Sequence, residues 1–100
     1  MSWIDTAKDR ILKVAGSLEG RLAELSDSFY RDPESGLQEF RTSAAMQEFL
    51  KGSGFAVEAG IAGMPTAFRA RLGSGGPVVA LLAEMDALPA GDPRREVYDK

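Results

Sequence analysis

Apolar residues recur at Ile4, Ala7, Ile11, Val14, Leu18, Leu22, Leu25 and Phe29, always in steps of three or four. That spacing draws one continuous stripe along a helical face. Ser2, with Asp5 three residues on, resembles a capping box in which Asp replaces the usual Glu or Gln. Gly16 and Gly20 each weaken the middle of such a helix by ~1 kcal/mol relative to Ala. Asp32-Pro33 ends it, because a residue before proline avoids helical geometry. The stripe is expected to be a core face rather than a membrane or partner surface.

Pro33-Glu34-Ser35-Gly36 then reads as a turn. A second amphipathic helix is expected from near Gln38 to Lys51, with Phe40, Ala44, Met46 or Ala45, Phe49 and Leu50 facing inward. Gly52-Ser53-Gly54 supplies the glycine that can take positive φ and stop it. Phe55 to Glu58 alternates briefly, as a half-buried strand does. Beyond the glycine-rich loop 60–65, Thr66 to Leu72 alternates again, with Phe68, Ala70 and Leu72 opposite Arg69 and Arg71. Val78 to Ala83 is an unbroken apolar run, the pattern of a strand buried on both faces. Gly73-Ser74-Gly75-Gly76 would connect the last two as a hairpin. A phosphate-cradling role for these glycines is weak, because neither a Lys-Ser/Thr pair nor a helix follows. After Pro89 the chain is polar and aperiodic, so residues 90–100 are expected to be a divergent, disordered tail to the domain at 1–89. The fold class is thus α/β: two helices, then about three or four strands.

Composition narrows the chemistry. One hundred residues, 44% hydrophobic and 27% charged, describe one small globular domain. A net charge of −3 with no basic patch argues against nucleic acid. No apolar segment reaches the ~20 residues of a spanning helix, and Asp5, Lys8 and Asp9 do not form the flank of a signal peptide. The expected location is therefore cytoplasmic, with no membrane partner. Histidine and cysteine are both absent. That removes the commonest neutral-pH acid/base, the thiolate nucleophile and the best transition-metal ligands.

What remains is carboxylate chemistry, and Glu84 and Asp86 stand where the apolar run ends. Two residues apart in a strand, they would share one face. Such a pair can bind a hard cation, split its pKa values or orient another ligand. It can equally be a pair of solvated acids where a strand emerges, and spacing alone favours that simpler outcome.

The surrounding words add to this. Asp32-Pro33-Glu34-Ser35-Gly36-Leu37-Gln38-Glu39-Phe40-Arg41-Thr42-Ser43 resembles the "NPELGxxEFxTS" segment of the M20 family of metallopeptidases and amidohydrolases. Ser53-Gly54-Phe55-Ala56-Val57 resembles its "LGFxV", and Gly63 to Ala70 its "GxPTAFxA". Val79 to Pro89 is similar to "LLAEYDALP" or "RADMDALP". The four words keep the family's order and spacing over most of residues 4–89, and they look most like the branch of aminobenzoyl-glutamate hydrolase and related N-acyl amino acid or dipeptide amidohydrolases.

This resemblance implies the N-terminal part of a zinc-peptidase-like α/β/α catalytic domain. In the intact family two divalent metals, zinc or manganese, activate water against an amide bond. Asp86 matches the acidic residue that orients a metal ligand from behind, and Glu84 stands where other branches place a metal-binding His. A "HACGH" segment would soon follow, yet this chain continues Ala90-Gly91-Asp92-Pro93-Arg94-Arg95. The expectation is a partial, truncated or frame-disrupted amidohydrolase that has no metal site of its own and is inactive alone. A small N-acyl amino acid or peptide would be its substrate only once further sequence completed the site. A non-catalytic segment docking on a full-length paralogue, or a vestigial product, is the alternative.

Overall fold

The computed structural model describes residues 2–88, which divide into two compact units at Asp32/Pro33. The first unit is one helix, α1, Trp3–Arg31. Its N-terminus carries the anticipated capping box: the Asp5 N–H donates to Ser2 Oγ at 3.2 Å and the Ser2 N–H to Asp5 Oδ2 at 3.4 Å. Both groups are donors that the helix itself leaves unpaired. The helix runs through Gly16 and Gly20 and stops at Asp32, whose N–H reaches the Ser28 carbonyl at 3.1 Å. Its stripe is not a core, however. No residue of α1 is buried, and Ile4, Ile11, Val14 and Leu22 are exposed.

The second unit begins with an irregular segment that turns at Ser35–Gln38, closed by the Gln38 N–H on the Ser35 carbonyl at 2.9 Å. Helix α2 follows, Phe40–Gly52. It ends in a Schellman motif: Phe55 N–H bonds to Leu50 C=O at 3.0 Å, Gly54 N–H to Lys51 C=O at 3.1 Å, and Gly54 takes φ +95°. Strands β1, Ala56–Ala59, and β2, Phe68–Arg71, pair antiparallel with Val57 opposite Ala70 and Glu58 opposite Arg69. Their connection is a hydrogen-bonded loop around a short 3₁₀ turn, Ile61–Gly63, closed by Gly60 N–H to Ala67 C=O at 2.9 Å. Phe68 and Ala70 are half-buried and Arg69 and Arg71 exposed, as the alternation requires, but Leu72, expected on the same inner face, lies past the end of β2 and is 66% exposed. Helix α2 packs on both strands.

Two expectations change here. Along α2, Ala45, Met46, Phe49 and Leu50 are half-buried, but Phe40 and Ala44 face solvent while Thr42 and Ser43 are buried. The inward face is thus rotated toward polar residues at the N-terminal end. The sheet of the described residues has two strands, not three or four, and Val78–Ala83 takes no regular secondary structure. Leu81 and Leu82 are 94% and 100% exposed. A strand buried on both faces needs neighbours on both sides, and the described sheet ends at the β1–β2 pair. Gly73–Gly76 accordingly leads into an unpaired segment, and the hairpin lies at Gly60–Ala67 instead. The fold class is the α/β fragment expected. Pro89 and the tail 90–100 lie outside the described residues.

Candidate functional site

Every buried residue in the described structure is polar or charged: Glu34, Glu39, Thr42, Ser43 and Thr66. They form one cluster where the segment before α2, the first turn of α2 and the loop before β2 meet. Polar groups tolerate burial only when paired, and no buried side-chain nitrogen or oxygen among the described residues lacks a partner. Thr66 Oγ1 donates to Glu39 Oε2 at 3.4 Å, while Ser43 Oγ donates to the Thr66 carbonyl at 2.7 Å. Gln47 Nε2 donates in turn to Ser43 Oγ at 3.0 Å.

Glu34 holds the other side of the cluster. Its Oε2 accepts the Arg41 N–H at 3.0 Å and its Oε1 the Thr42 N–H at 2.6 Å. The Arg41 Nε lies 3.4 Å from the same carboxylate. Helix α2 starts at Glu39 without a side-chain cap of its own, so Glu34 does from a distance what a neighbouring N-cap residue ordinarily does. Desolvation would raise this carboxyl's pKa. The Thr42 hydroxyl and N–H, the Arg41 N–H and the Arg41 charge more than reverse that, lowering it from 4.5 to about 2. A negative charge at a helix N-terminus gains further from the helix dipole.

The sequence-predicted pair lies at the end of the irregular segment. Asp86 is half-buried and Glu84 exposed. The next residue, Ala87, donates its N–H to the Glu34 carbonyl at 2.7 Å, which brings the Asp86 loop against the polar cluster. A catalytic or structural metal site generally needs three or four protein ligands. No group of three His, Cys, Asp or Glu side chains suited to a metal occurs among the described residues. With no His or Cys in the sequence, the donors present do not fit a zinc centre.

Sequence reading named Asp86 and Glu84 and missed Glu34, which it placed in a turn. A signal was present: the second helix has no Ser, Thr, Asp or Asn directly before its start, so its orphan N–H groups needed an acceptor from elsewhere.

No known family's sequence profile matches the chain, and no solved structure does. Two curated relatives do match. One of the subunits of the p-aminobenzoyl-glutamate hydrolase of Escherichia coli (strain K12) is 37% identical over 68 residues, covering 68% of this chain and 14% of that protein. Thermostable carboxypeptidase 2 of Saccharolobus solfataricus is 36% identical over 74 residues, covering 72% of this chain and 19% of that protein. The chain thus spans less than a fifth of the length of each. Over that short stretch, both similarities support a relationship to M20-like peptidases.

Proposed function

We propose that this chain is the N-terminal portion of the catalytic domain of an M20-type amidohydrolase or peptidase, acting on amide bonds of N-acyl amino acids or dipeptides. The observation that carries the reading is its similarity to two hydrolases over about two thirds of its own length. In this reading Asp86 orients a metal ligand rather than binding metal, and Glu84 occupies the neighbouring position. The ligands for zinc or manganese come from sequence beyond residues 1–100 or from another polypeptide. The chain alone therefore has no hydrolytic step to perform.

Two experiments test it. The purified chain, supplied with zinc or manganese, is expected to leave p-aminobenzoyl-glutamate and N-acyl amino acids intact. Metal-dependent turnover abolished by Asp86→Ala would overturn its incompleteness. Exchanging the chain for the corresponding stretch of the Escherichia coli hydrolase is expected to give a chimera that hydrolyses amides. In that chimera Asp86→Ala should lower activity about 10–100-fold, the range for residues that orient metal ligands. A folded chimera insensitive to the substitution would remove Asp86 from the site.

A second reading is favoured by the exposure of Val78, Val79, Leu81 and Leu82. In it the chain is a non-catalytic segment that docks on a full-length M20-type enzyme. Co-purification with such an enzyme would support it, and a monodisperse monomer would count against it.

A further inference from the structure

Glu34 is buried to 9% exposure and uses both ends of the residue. Its carboxylate holds the Arg41 and Thr42 N–H groups of α2, and its carbonyl accepts the N–H of Ala87. Side chain and backbone of one residue thus join the first turn of a helix to a loop 53 positions later in the chain, as the numbers of Glu34 and Ala87 give. Pro33 limits φ immediately before it, and the turn at Ser35–Gln38 fixes the chain immediately after. With two charge-assisted bonds on the carboxylate, the Glu34 carbonyl has little freedom to follow a moving partner. The loop must come to it.

We infer that Glu34 is the positioning residue for the Asp86 loop: its carboxylate, anchored on the first turn of α2, sets where its own carbonyl holds the Ala87 N–H. The functional importance of that loop rests on the amidohydrolase reading; the coupling does not. Asp86 follows wherever Ala87 is held, because the two share a peptide bond. The helix α2 N-terminus therefore sets the location of a carboxylate far away in sequence. This makes Glu34 more than a helix cap, since a cap acts only on the helix it closes.

Amide exchange and chemical shifts of the full 100-residue chain test the coupling. Glu34→Ala is expected to speed exchange at Thr42 and Ala87 together, at least tenfold. The Gly60 and Phe55 amides, bonded within the hairpin loop and the end of α2, should change less than about threefold. Glu34→Gln, which keeps one carbonyl acceptor, should restore part of the protection at both sites. In the unaltered chain, acid titration should move the Ala87 amide resonance with a component whose midpoint, about 2, it shares with Thr42. A plain cap would move Thr42 alone, and faster exchange at Thr42 with Ala87 unchanged would overturn the coupling. Should Glu34→Ala unfold the chain, the titration decides: an Ala87 resonance that shares no low-pH component with Thr42 would overturn it equally. None of these measurements uses metal or substrate. Their failure leaves the chimera experiment standing, and failure of the chimera leaves the coupling intact.

Discussion

Glu34 shows how one side chain's environment determines its response to acid. Its folded pKa is about 2, against an ordinary value of 4.5, so the folded state holds its proton more weakly than the unfolded state does. A depressed carboxyl contributes stability that is fully present above the unfolded value and is lost as pH falls through the folded one. Acidification from about 4.5 to about 2 should therefore weaken the second unit, with Thr42 and Arg41 losing protection first. Glu34→Gln should flatten that part of the pH–stability curve. The exposed Glu58–Arg69 pair belongs to another class. It lies cross-strand in water, where such pairs contribute at most about 1 kcal/mol, and Arg69→Ala should lower stability by no more than that in urea denaturation.

At the scale of elements, much was legible because the signals were local. The first helix follows from its apolar spacing, its capping box from Ser2 and Asp5, and its stop from Asp32-Pro33. The glycine at the end of α2 was legible too. Gly54 sits at φ +95° with open space where a Cβ would project, so backbone strain and not crowding opposes a side chain there. Gly54→Ala should destabilise the second unit by about 1 kcal/mol, measured by urea denaturation. What the pattern did not reveal is pairing between distant segments. An apolar run such as Val78–Ala83 states that a strand would suit it, but its neighbours are chosen elsewhere in the chain. Glu34 was missed for the same reason. Its partners lie at Arg41, Thr42 and Ala87, and no periodicity links those positions. The Asp86 position stands out in the sequence where the apolar run ends and gains a role from the family resemblance, whereas its tie to Glu34 appears only in the fold.

Taken as a whole molecule, the described residues contain no buried apolar side chain. Cooperative unfolding comes from a shared core in which losing one contact loosens the rest. Two compact units without such a core should melt broadly. Far-UV circular dichroism of the isolated chain is expected to show a shallow thermal change, and a sharp two-state transition would contradict it. Binding to a second polypeptide that covers Val78–Leu82 should sharpen that transition, because apolar surface would then leave water on folding.

The all-polar interior has a calorimetric consequence. Exposing apolar surface raises the heat capacity of a protein on unfolding, whereas exposing polar surface lowers it. A centre built from Glu34, Glu39, Thr42, Ser43 and Thr66 releases the second kind, while Met46, Phe49, Leu50 and Phe68, only half-buried, release less of the first than a buried core would. The heat-capacity increment of this chain should fall well below the ~12–15 cal/mol/K per residue of ordinary domains. Its stability would then vary little with temperature, with no pronounced optimum and no steep loss in the cold.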